Sequence, residues 1–91
     1  MLSPKMTTKM RKDIKRCKKR GYDLTKLTDL INLLCAEEPL PEKFLDHPLS
    51  GDWADFRECH IENDWLLIYR IYEEDLVLTA ARTGTHSDFS W

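Results

Sequence analysis

The hydrophobic period of this chain changes once, and the change constrains the fold class. Met6, Met10, Ile14 and Cys17 recur at steps of four, four and three, which is one stripe of an amphipathic helix with basic residues on its other faces. From Trp53 onward apolar and polar residues alternate, the period of half-buried strands. Helices first and strands afterwards predict an α+β domain, with two N-terminal helices packed on a small antiparallel β-sheet of three to four strands. The helical pair covers one sheet face and leaves the other available.

Local signals punctuate this pattern. Thr7 or Thr8 can cap the first helix, and Gly21 ends it because glycine takes the left-handed conformation that helix C-termini often need. Asp23 can cap a second helix carrying Leu24, Leu27, Leu30, Ile31 and Leu34, which Pro39 and Pro41 stop soon after Ala36. Residues 37–52 hold three prolines and Gly51 and read as a loop that lays His47 over the surface. Strands are expected near 53–60, 65–72 and 76–82, with turns at 62–64 and 73–75.

A chain of 91 residues allows one domain, 1–91, with one modest core. No apolar run approaches the roughly 20 residues of a membrane-spanning helix. The start Met1-Leu2-Ser3-Pro4-Lys5 lacks the apolar stretch of a secretory signal, so a cytoplasmic location is expected, with no membrane partner. Cys17, Cys35 and Cys59 fit neither a disulfide framework nor the close pairs of a zinc site, and read as small core hydrophobes. No metal or other cofactor is expected. Residues 1–20 carry nine Lys or Arg against Asp13 alone, a balance of +8, and the rest of the chain carries five against fifteen, a balance of −10. Such asymmetry points the first helix, through residues such as Lys12, Arg16 and Lys19, at a polyanion. The alternative is that its lysines only solvate a helix face.

All three histidines fall in the second half, each in a polar-aromatic context: Asp46-His47-Pro48-Leu49, then Phe56-Arg57-Glu58-Cys59-His60 with Asp64-Trp65, then Arg82-Thr83-Gly84-Thr85-His86-Ser87-Asp88. If the polyanion is RNA, which carries its own nucleophile, cutting it without a metal would require a base for the 2′-hydroxyl, an acid for the 5′-oxygen and donors for the phosphate. Histidine and carboxylate suit the proton transfers. A tight hairpin is expected to bring His60 and Asp64 together as a coupled pair. Arg57 and Arg82 offer planar forks for phosphate oxygens, with Arg70 a lesser candidate. Taken alone, His86 could equally be a surface residue of a frayed tail, His47 a turn histidine, and the arginines partners of surface acids. The aromatics at alternating strand positions are expected mostly in the core, with Trp65 and Phe89 as exceptions that give a base a stacking face.

Taken in order, these motifs resemble the YafQ branch of the RelE-like toxins over nearly the whole chain. The resemblance implies a RelE-like fold with a short edge strand at Leu2 to Lys5. It also implies the toxin of a type II toxin–antitoxin system: a ribosome-dependent, metal-free mRNA endoribonuclease acting in the ribosomal A site. By the same resemblance His86 is the general acid, His47, His60 and Asp64 complete the active site, and one of those three accepts the 2′-hydroxyl proton. The implied partners are the ribosome with its mRNA and a cognate antitoxin, in a hetero-oligomer. After Asp88 this chain reads Phe89-Ser90-Trp91 where the family continues through Leu-Phe, so Phe89 or Trp91 takes the stacking place. Two rival readings are a ParE-like module that binds a topoisomerase and a ribosome-independent ribonuclease.

Overall fold

The computed structural model describes residues 1–89, so the expectation for Trp91 lies outside the described residues. The elements run β1 (Ser3–Met6), α1 (Thr8–Lys19), α2 (Leu24–Cys35), β2 (His47–Pro48), β3 (Arg57–Glu62), β4 (Trp65–Tyr72) and β5 (Val77–Gly84). Short 3₁₀ turns occupy Glu42–Phe44, Gly51–Trp53 and His86–Asp88.

Both helices start where their capping residues stand. The Thr7 hydroxyl accepts the Met10 amide at 3.0 Å and donates to the Ala81 carbonyl at 2.8 Å, so the cap also pins α1 to β5. Asp23 accepts the amide and the hydroxyl of Thr25 at 3.0 and 2.6 Å. Gly21, with φ +81°, closes α1, and the Gly21 and Tyr22 amides bond back to the Lys18 and Cys17 carbonyls. Met6 belongs to β1 and is exposed, so the buried stripe of α1 begins at Met10 and passes through Cys17.

The sheet has five strands in the order β1-β5-β4-β3-β2. It is mixed rather than antiparallel throughout. β1 pairs parallel with β5, a pairing made possible by the long connection through both helices and strands β2 to β4, whereas every other pairing is antiparallel. The fifth strand is the two-residue β2, inside the stretch expected to be a loop. β3 begins at Arg57 instead of near residue 53, because Gly51–Trp53 coil into a turn.

Packing occurs on both sheet faces. Between helices and sheet lie Met10, Leu27, Leu30, Ile31, Trp65, Leu67, Tyr69 and Leu78, with Cys17, Cys35 and Cys59 buried and unpaired among them. Burial pushes all three thiols up. The opposite face carries a smaller cluster of Leu66, Ile68, Ala81 and Phe89, against which Leu49, Trp53 and Phe56 pack. The loop before β3 and the C-terminal tail therefore cover part of the face expected to be available. No helix among the described residues is long and apolar enough to cross a membrane.

Candidate active site

Strand alternation puts Glu58 and His60 on one face of β3, and the β2–β3 pairing sets His47 directly across from Glu58. The tail that follows β5 returns His86 to the same place. Glu58 Oε1 then lies 3.6 Å from His47 Nε2, 3.8 Å from His60 Nε2 and 3.8 Å from His86 Nε2. These separations exceed a direct hydrogen bond, so Glu58 does not tie up any Nε2; the His60 side chain is 21% exposed. The Glu58 side chain is only 7% exposed, whereas His47 and His86 are about half exposed at 47% and 57%.

Each ring is held from behind through Nδ1. His47 Nδ1 meets the Leu45 carbonyl at 2.8 Å, and His60 Nδ1 meets the Asn63 carbonyl at 3.1 Å. His86 Nδ1 meets Asp64 Oδ1 at 2.6 Å, and the same oxygen accepts the His86 amide at 3.1 Å. A carbonyl or carboxylate accepts only from N–H, so each neutral imidazole carries its proton on Nδ1 and presents the Nε2 lone pair to the centre. The two bonds from His86, amide first, hold the Asp64 carboxyl below the usual range.

The expected His60–Asp64 pair does not form. β3 and β4 shift register between His60 and Glu62, so Glu62 faces Trp65 and the two-residue turn aims Asp64 at the tail. Asp64 orients His86, and the Asn63 backbone orients His60. Among the described residues no three His, Cys, Asp or Glu side chains are grouped to hold a metal ion.

The toxin family YafQ, of bacterial type II toxin–antitoxin systems, matches residues 2–90. The chain belongs to that family. It is 46% identical over 77 residues to the mRNA interferase toxin YafQ of Escherichia coli K12, covering 84% of this chain and 82% of that protein. The fold is similar to the crystal structure of a metal-bound toxin from Helicobacter pylori, with TM-score 0.93, 41% identity and coverage of 99% and 100% of the two chains. It is also similar to a chain of the E. coli DinJ–YafQ complex, with TM-score 0.88, 37% identity and full coverage of both.

Within this YafQ fold the remaining site candidates divide. Arg57 flanks the centre on β3, 41% exposed, with its guanidinium on Asp46 at 3.2 to 3.4 Å. Asp46 also accepts the Tyr69 hydroxyl at 2.6 Å. Arg82 is turned to Asp13 of α1, with Nε at 2.7 Å and Nη2 at 3.2 Å, and lies over the Phe89 ring at 5.1 Å. Arg70 stacks on Tyr72 at 4.5 Å. Trp65 does not offer a stacking face: it is 4% exposed, tilts against Tyr22 and donates its Nε1–H to Thr83 Oγ1 at 2.9 Å. Phe89, 5% exposed, is likewise packed, in the second cluster beneath Arg82. On α1, Lys12 and Lys19 are exposed, while Arg16 turns back to Asp13 at 2.7 Å.

Four acids that sequence reasoning passed over shape the site: Glu58 at its centre, Asp46 behind Arg57, Asp13 behind Arg82 and Asp88 in the tail. A signal existed for two of them. Glu58 stands two residues before His60 in a period-two segment, and Asp13 is the lone acid of a basic helix. A groove of about 770 Å³, lined by Leu30, Leu33, Phe44 and Leu45, opens beside the centre and shares His60 and Asp64 with it.

Proposed function

We propose that this chain is a toxin that cuts mRNA on the ribosome by general acid–base catalysis without a metal. The observation that carries this reading is the convergence of three imidazole Nε2 atoms on one buried carboxylate, with every Nδ1 engaged. In the proposed step His60 Nε2 takes the 2′-hydroxyl proton and the 2′-oxygen attacks phosphorus. The bond to the 5′-oxygen breaks, and that oxygen leaves with the proton of His86 Nε2. Asp64 orients His86 and balances its charge in the acidic form, as the third member of a nucleophile–base–orienter arrangement does. Glu58 holds protonated rings around the phosphate, and His47 with Arg57 donates to its oxygens. Such transfers typically contribute roughly 10² to 10⁴ each in rate.

The ribosome aligns the message in its A site, and α1 grips ribosomal RNA. Lys9, Arg11, Lys12, Lys15, Lys18 and Lys19 are exposed on that helix and supply the sequence-independent attraction that phosphates require. The setting is the cytoplasm, where ribosomes are. A cognate antitoxin silences the chain by covering the histidine cluster in a hetero-oligomer; the E. coli relative forms a DinJ–YafQ toxin–antitoxin complex, which supports such a partner.

Primer extension on a translated message, with the purified chain added to ribosome-bound and to naked RNA, tests the reading. New in-frame 5′ ends only on ribosomes are expected, equally with protein treated with a chelator and desalted beforehand. Cuts on naked RNA would make it a ribosome-independent ribonuclease. No cuts at all would overturn catalysis in favour of a binding module.

A further inference from the structure

The three-residue turn His86–Asp88 that carries the proposed acid buries none of its residues. Apolar packing of the turn itself therefore does not fix the position of His86. Asp64 holds the His86 ring and amide, and Phe89 just beyond the turn is buried; the turn itself is held to the rest of the domain by a set of polar contacts centred on Asp88. Its carboxylate is held by the Arg20 fork, Nη1 at 2.7 Å and Nη2 at 2.9 Å, from the C-terminal end of α1. Arg16 Nε stands 3.7 Å from the same group. On the other side Asp88 Oδ2 accepts the Thr85 amide at 2.8 Å, and Thr85 reciprocates, so the turn is closed as a capping box. Gly84 completes the fit. It has φ +152°, and a Cβ there would stand 2.6 Å from Asp88 Oδ2 and 3.3 Å from Arg16 Nη2.

We infer that the Arg20–Asp88 pair is a positioning latch, which ties the 85–88 turn to α1 and thereby sets the His86 imidazole between Asp64 and Glu58. It deepens the proposed function, resting on His86 as the acid. Asp88 touches no reacting atom in this scheme and acts through His86. The strength of the clamp is consistent with the role: Arg20 first, then the Thr85 amide, hold the Asp88 carboxyl far below the usual range, and Asp88 holds the Arg20 guanidinium above its own. The latch also gives α1 two jobs. Arg16 and Arg20 turn towards the acids of the domain, while the lysines face outward.

The test uses Asp88→Asn and Arg20→Gln, each alone and combined with His86→Gln. Single-turnover cleavage on ribosomes should fall roughly 10- to 100-fold in each single variant, the scale of a 1 Å misplacement, with ribosome binding unchanged. In the His86→Gln background neither change should lower the residual rate further, because a group acting only through His86 has nothing left to position. Imidazole ¹⁵N spectra give a readout independent of activity: His86 is expected as the Nδ1–H tautomer in the wild type and as a mixture rich in Nε2–H in both variants. Arg20 is exposed, so Arg20→Gln serves if Asp88→Asn fails to fold. Unchanged rates, an equal loss in the His86→Gln background, or a retained Nδ1–H tautomer would each overturn the latch. If the wild type cuts no RNA, the proposed function falls, and the tautomer alone decides the latch.

Discussion

Replacing Asp13 should unfold this domain more readily than replacing any of its histidines. Asp13 is 2% exposed and accepts four hydrogen bonds: Arg82 Nε at 2.7 Å and Nη2 at 3.2 Å, Arg16 Nη2 at 2.7 Å and the Thr83 amide at 3.1 Å. Asp13→Ala leaves the buried Thr83 amide without an acceptor, which costs about 1–3 kcal/mol. It also leaves Arg82, 19% exposed, without its counter-charge, and breaking a buried pair from one side costs about 3–5 kcal/mol, partly the same energy. Arg16 is 36% exposed and can turn to water, so it adds little. The expected loss is about 4 kcal/mol, against roughly 5–15 kcal/mol for a whole domain. With a urea slope of about 1–2 kcal/mol per molar, the midpoint should drop by about 2–4 M. Urea titration followed by far-ultraviolet circular dichroism and tryptophan fluorescence measures it, with Arg16→Ala as the control expected to lose under about 1 kcal/mol. A loss under about 1 kcal/mol for Asp13→Ala would refute the reasoning and make the cluster an ordinary surface network.

Glu58→Gln keeps the shape of the buried side chain but removes the charge facing three imidazoles, so cleavage should fall by about tenfold or more at nearly constant melting temperature; an unchanged rate would remove Glu58 from the site. Trp65→Phe should cost about 1 kcal/mol through its bond to Thr83 and leave cleavage within about twofold, whereas a large loss of activity in a stable variant would restore Trp65 as a base-stacking residue. Lys12→Glu with Lys19→Glu should weaken ribosome association and flatten its salt dependence without changing stability; binding that is indifferent to both would reduce α1 to a solvated face. Asp88 makes stability depend on acid: its carboxyl is depressed in the folded chain, so below about pH 4 the unfolded chain binds the proton first. Its contribution is therefore complete above that pH and is lost as pH falls towards the folded value. Acid titrations of wild type and Asp88→Asn should diverge above about pH 4 and converge below it.

The helices were legible because their signals are local. Thr7, Asp23 and Gly21 act within a turn of where they stand, and the apolar stripes of α1 and α2 reach burial with no knowledge of the sheet. β4 was equally legible over 65–72, since it is central and buried along most of its length. The limits appear where geometry is non-local. Trp53 and Phe56 are aromatics of the kind strands favour and stand just before the period-two run of β3, yet the turn at Gly51–Trp53 folds them onto the cluster of Leu66 and Ile68 from outside. Two residues of β2 cannot show a period, and the parallel pairing of β1 with β5 depends on a partner more than 70 residues away.

The same distinction explains why the histidines could be found and their partners could not. A histidine within Arg-Thr-Gly-Thr-His carries its chemistry in its own residue type, whereas an acid in a strand or on a helix reads as solvated until its neighbours are known. Glu58 becomes a centre only once β2 and the tail close over it from opposite directions, and Asp64 finds His86 rather than His60 because the register shift at the hairpin turns it outward. Asp13 and Asp88 follow the same rule from the other side. The net +8 of the first twenty residues looks like one undivided surface for a polyanion. Yet Arg16 and Arg20 face these two acids, and Arg82 reaches across from β5 to the first of them. If α1 meets RNA, its outward cations, the lysines and Arg11, carry that contact, while Arg16 and Arg20 hold the turn on which the proposed proton donor stands. Binding and catalysis would then be separable by position along one helix, with changes at the outward cations acting on association and Arg20 acting on the rate of the bound complex.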